Sequence, residues 1–61
     1  MRKFCQFTKE TGEAVWVNPL LIRLVHASLA GSRIEFEQHF LLVNELPHAV
    51  ASAVEDAVHP P

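Results

Sequence analysis

The chain has one cysteine, two glycines, one tryptophan and no tyrosine. A single cysteine, Cys5, excludes a disulfide within the chain, and a lone thiol suits a reducing cytoplasm better than a secreted scaffold. Gly12 and Gly31 alone cannot build the glycine-rich loop that cradles phosphates. Long apolar runs are missing too. The richest stretch, Ala14 to Leu24, is interrupted by Asn18, Pro19 and Arg23, whereas a membrane span needs about 20 apolar residues. The first residues, Met1-Arg2-Lys3-Phe4, open on two cations, but Gln6, Thr8, Lys9 and Glu10 deny them the apolar core of a signal peptide. Cations are scarce overall: five Lys and Arg face seven Asp and Glu, for a net charge of −2. That balance provides no electrostatic pull toward nucleic acid or anionic lipid.

What is present is hydrophobic character, 49% of 61 residues, enough to fold as one globular domain rather than stay disordered. A chain of this size buries only roughly 60% of the surface its unfolded form exposes, so it is marginal by itself. Small domains commonly add a disulfide, a metal or a partner subunit, and the disulfide is excluded here.

The element order is mainly β with one helix. Residues 3–8 mix aromatic and small apolar side chains and predict a first strand. Gly12 offers the positive φ of a tight hairpin, and the β-branched and aromatic run 14–18 pairs back as the second strand. Asn18-Pro19 stops it, since Pro lacks an N–H and keeps the preceding residue extended. Residues 21–29 read as a third strand, with helix a competitor because Leu21, Leu24 and Val25 also fit helical spacing. Residues 33–37 alternate charged and apolar, the mark of a strand with one wet face. A turn at Gln38-His39 leads to a fifth strand, 40–43. From Pro47 the pattern becomes Ala-rich with Val50, Val54 and Ala57 or Val58 on one stripe, predicting a helix over 47–58. The expected fold is a five-stranded antiparallel meander or SH3-like small barrel with one C-terminal helix.

Strands three and five carry large apolar side chains on both faces, more than one small helix covers. A surplus Leu or Val is worth about 1.5–3 kcal/mol when buried, so either the sheet closes into a barrel with the helix outside or a second copy covers the surplus, and the second copy is the expectation. The candidate interface is Trp16, Leu21, Leu24, Val25, Leu41 and Val43, in a homo-oligomer or against another protein.

Chemistry has weaker signals. Zinc sites use ligand pairs a few residues apart, and the nearest histidines, His39 and His48, are spaced more widely than that. Ser28 or Ser32 with a histidine and Asp56 has no nucleophile elbow, and Cys5 lies mid-strand, where a buried inert thiol is ordinary. No enzyme activity, cofactor or metal is expected. Small barrels do bind RNA or single strands through cations beside stacking aromatics. Arg2, Lys3, Phe4 and Phe7 would form such a patch, the alternative reading of function, against which the acidic balance argues.

Gly12-Glu13, Val17-Asn18-Pro19, Ile22, Val25, the Gly31-Ser32-x-Ile34-x-Phe36 run and Leu42-Val43-x-Glu45 with Val50 together resemble the short FlbD-like proteins. The resemblance spans residues 3 to about 54. It implies a small cytoplasmic bacterial or phage β domain with a terminal helix, no catalytic residues, and in flagellar or swarming-motility members a role supporting the motor. Glu37-Gln38-His39, in place of an Asn-Gly type hairpin, and the Ala-rich tail ending in Pro60-Pro61 depart from that pattern.

Overall fold

The computed structural model describes residues 4–59. Five short strands, β1 (Cys5–Thr8), β2 (Ala14–Val17), β3 (Leu24–Ala27), β4 (Ser32–Glu35) and β5 (Phe40–Val43), precede one helix, α1 (Pro47–Val58). The expected mainly β architecture of five antiparallel strands and a C-terminal helix is what forms. The strands divide into a β1–β2 hairpin and a β3–β4–β5 meander.

Each element follows from its residues. Gly12 takes φ +93° in the turn where Lys9 N–H donates to Glu13 O at 2.8 Å and Gly12 N–H to Lys9 O at 2.8 Å. Only glycine enters that backbone region without strain. Gly31 is needed for room instead: a Cβ there would press on the carbonyl oxygens of Val43 and Asn44. Helix α1 starts without a side-chain cap. Pro47 fills its first turn, where a missing N–H costs nothing, and Leu46 O accepts from Ala49 and Val50 N–H at 2.9 and 3.0 Å.

The third strand is shorter than the expected 21–29. Asn18-Pro19 does more than stop β2. Asn18 Oδ1 accepts from Leu20 N–H at 3.0 Å, and Pro19–Leu21 form a 3₁₀ turn. This Asn-Pro initiation captures Leu21 before the strand begins. Arg23 N–H then donates to Glu35 O at 2.8 Å, although the register partner of Glu35 is Leu24. Two residues therefore oppose one, a bulge that marks the strand's start. The β4–β5 turn also falls one residue earlier than expected, closed by Phe36 N–H to His39 O at 2.8 Å.

The hairpin, the meander and the helix share one core of Cys5, Phe7, Val17, Ile34, Val43, Val50 and Ala57. Helix α1 packs on β1, β3, β4 and the 3₁₀ turn. Among the described residues, one bridge joins the two sheets, Lys9 to Val43. Asn44 N–H donates to Thr8 O at 2.8 Å there, both carboxylate oxygens of Glu45 accept from Thr8 N–H at 3.0 and 3.1 Å, and the fully buried Ser32 hydroxyl donates to Glu45 O at 2.6 Å. Beyond this junction the sheets diverge, and the gap between them holds the candidate site.

Candidate functional site

Alternation decides which apolar side chains are left over. In the meander, Ile34 is paired with Val25 on one side and Leu41 on the other, so these three share the inward face with Ser32 and Val43. The opposite face carries Leu24, His26, Arg33, Glu35, Phe40 and Leu42. On it, His26 Nε2 lies 2.8 Å and Arg33 Nε 3.5 Å from Glu35 Oε2, and the Arg33 guanidinium stacks 4.1 Å from the centre of the Phe40 ring. Exposed pairs of this kind contribute little stability. In the hairpin, Phe7, Val15 and Val17 turn inward, and Trp16 stands opposite Gln6 on the outside.

The leftover side chains gather around a cleft of about 690 Å³ between β2 with the 3₁₀ turn and the β4–β5 hairpin. Half-buried Val15, Phe36 and Leu41 form part of its lining, and Trp16, Leu20, Leu21 and Phe40 are exposed along it. Arg23, Glu37, Gln38 and His39 supply polar groups, and the His39 ring stacks on Phe36 at 4.7 Å. A smaller depression of about 390 Å³ separates β3 from α1, lined by Ile22, Leu24, Val25, Val54 and Val58 among others.

The six expected interface residues separate accordingly. Trp16 and Leu21, 60% and 62% exposed, line the main cleft with half-buried Leu41. Leu24 is exposed but borders the smaller depression. Val25 packs half-buried against the core on the Ile34 side. Val43 is corrected outright: it is 1% exposed and central to the core, because it pairs with buried Ser32 at the junction of the two sheets. Leu20, Phe36 and Phe40 were missed. The alternation of Arg33 and Glu35 carried a usable signal for Phe40, since the cross-strand neighbours of a strand's charged positions share its outer face.

Of the alternative patch, Phe4 and Phe7 lie among the described residues. Arg2 and Lys3 lie outside the described residues. Phe4 is exposed, and Phe7, at 2% exposed, belongs to the core, because it pairs inward with Val15. A buried ring offers no stacking platform.

Two of the remaining chemical candidates, Cys5 and Ser32, are buried. Cys5 is buried, its Sγ 3.5 Å from Ala53 O, and loss of hydration pushes its thiol pKa above the ordinary 9.0, the direction opposite to an activated nucleophile. Ser32 is committed to Glu45 O. Among the described residues, no group of three or more His, Cys, Asp or Glu side chains is placed to hold a metal ion, and no helix is long and apolar enough to cross a membrane. No family model matches the chain, and no curated protein or solved structure matches it significantly.

Proposed function

We propose that this chain is a non-enzymatic protein-interaction domain that acts as a homo-oligomer through the cleft between its two sheets. One observation carries this reading: Trp16, Leu20, Leu21 and Phe40 are 60%, 48%, 62% and 49% exposed around one concavity. At about 200 Å² for a fully exposed large side chain, they present roughly 400 Å² of apolar surface. A standard interface buries about 800 Å² per partner, some 56–65% of it apolar. Four side chains thus supply most of the apolar part of such an interface. For so small a domain, covering them is also the available route to added stability.

Size-exclusion chromatography with light scattering tests the reading. A multiple of the 6.9 kDa chain mass is expected at micromolar concentration, and a monomer throughout that range overturns it. Buried Phe7 withdraws one of the two aromatic residues of the alternative nucleic-acid patch and Phe4 stays exposed; a mobility shift with oligonucleotides at low salt would favour that alternative. The resemblance to FlbD-like proteins makes motility the first process to examine, and flagellar genes beside this one would support that assignment.

A further inference from the structure

The ladder pattern of the hairpin specifies what the cleft can accept. Lys9 N–H donates to Glu13 O, which makes Lys9 and Glu13 a hydrogen-bonded pair. Antiparallel pairs alternate between bonded and non-bonded, so Phe7–Val15 and Cys5–Val17 are bonded, and Thr8–Ala14 and Gln6–Trp16 are not. The backbone groups of the non-bonded residues point away from their partner strand. On β1 this is visible: the outward N–H of Thr8 meets Glu45 and its outward C=O meets Asn44. On β2 the same rule turns the N–H and C=O of Ala14 and Trp16 toward the open side. Among the described residues, no backbone hydrogen bond beyond the hairpin ladder reaches those four groups. Natural edges are commonly blunted by Lys, Pro or a bulge, and Ala14-Val15-Trp16-Val17 contains none of these.

We infer that two copies of this chain pair along β2, antiparallel and two-fold symmetric, with Ala14 opposite Trp16 of the partner and Val15 opposite Val15 of the partner. The register follows from symmetry. A two-fold interface needs each contact to be reciprocal, and Ala14 and Trp16 are the two residues whose backbone groups face outward. Centring on Val15 satisfies all four groups on each copy with four inter-chain hydrogen bonds. It also sets the largest side chain of β2 against its smallest, so each indole lies over the other copy's Ala14 without a clash. Leu20, Leu21 and Phe40 flank the new strand pair along the cleft, and the roughly 400 Å² of apolar surface estimated above is most of the apolar part of what a standard interface buries per partner. The other open edge, β3, lies instead beside the smaller depression, whose border includes Arg23, Glu55 and His59. Helix α1 already packs on that strand, and Leu24 is the large apolar side chain left exposed at its depression, so that edge offers less uncovered apolar surface than the cleft.

This inference rests on the homo-oligomer reading, and the test separates the two. Amide hydrogen exchange is followed by NMR on the full chain at concentrations where light scattering reports a dimer, and again after dilution. Protection of the Ala14 and Trp16 amides that disappears on dilution is expected, because in the monomer both point into solvent. The variant Ala14→Pro removes one outward N–H per copy and no ladder bond, at the first strand position where proline is tolerated. Its loss of two inter-chain bonds raises the dimer dissociation constant roughly 30-fold. A dimer whose Ala14 and Trp16 amides exchange as fast as solvent-facing ones overturns the β2 pairing and leaves homo-oligomerisation standing. A monomer at every concentration overturns both. Should Ala14→Pro fail to fold, the wild-type exchange pattern decides alone.

Discussion

Val43 and Leu24 provide a direct test of which faces of the meander are buried. Val43 is 1% exposed and packs with Ile34, Val50 and Phe7 in the core cluster, whereas Leu24 is 54% exposed on the outer face. Val43→Ala removes two methyl groups. At about 0.8 kcal/mol per buried carbon the transfer loss is about 1.6 kcal/mol, and the cavity left between two sheets and a helix raises the cost to about 2–3 kcal/mol. Leu24→Ala removes three carbons already half in water and leaves no cavity, for a cost of about 1 kcal/mol. A domain of this length has a total stability of only about 3–9 kcal/mol, so the first substitution consumes a large share of it. With a melting shift of about 4–8 °C per kcal/mol, Val43→Ala lowers the midpoint by roughly 10–20 °C. The assay is thermal and urea unfolding followed by circular dichroism. All variants are compared at one protein concentration, because self-association makes the midpoint concentration-dependent. Val43→Ala costing no more than Leu24→Ala would refute the assignment of inner and outer faces, and with it the location of the cleft.

Three further outcomes are expected. Gly31→Ala forces a Cβ against the Val43 and Asn44 carbonyl oxygens, so the β3–β4 turn must shift, and urea unfolding should show a loss of about 1–3 kcal/mol; an unchanged midpoint contradicts that close approach. Glu45→Ala leaves Thr8 N–H without its carboxylate acceptor and loosens the junction of the sheets by about 1–3 kcal/mol, measured the same way and contradicted by wild-type stability. Cys5 should resist thiol reagents while folded and react fully in denaturant. Because burial raises its pKa in the folded state above 9.0, the unfolded chain releases the thiol proton first. This contribution to stability is therefore complete below pH 9.0 and is lost as pH rises beyond it. Rapid labelling of the folded protein would contradict the burial and reopen a catalytic reading of the thiol.

The placement of the strands was legible where local chemistry is strong. The alternation in Arg33-Ile34-Glu35-Phe36 marks a half-wet strand with no tertiary information, and Pro47 followed by an Ala- and Val-rich stripe marks a helix whose bounds, 47–58, match those expected. Leu20 and Leu21 were harder. Their apolar character fits strand, helix or turn equally, and the hydrogen bond from Leu20 N–H to the Asn18 side chain decides for the turn. The interface was legible only in part. A surplus of apolar side chains on strands three and five is countable from the sequence, but Leu41 and Val43 share one face of β5, and at the junction of the sheets Val43 is closed off from solvent whereas Leu41 still lines the cleft. Ile34 pairs with Leu41, and the alternation of two places further along the strand carries Val43 to the same side. That parity was derivable from the wet face of β4, and it assigns Phe40 to the outside.

Sequence alone determined the class of the molecule. One cysteine, a slight acidic excess and broken apolar runs exclude disulfide scaffolds and helical membrane spans, and patterns of period 2 and 3.6 set five strands and a helix. These are local properties, carried by neighbouring residues. Tertiary structure alone decided that the strands divide into two sheets that meet where Thr8 and Lys9 reach Val43, Asn44 and Glu45, and that their divergence opens a cleft. It also decided that Phe40, distant in the chain from Trp16, Leu20 and Leu21, is left exposed with them around that cleft. The physical reason is that a side chain's face depends on its cross-strand partner, and partners such as Thr8 and Glu45 are brought together by the fold across a separation no local pattern spans.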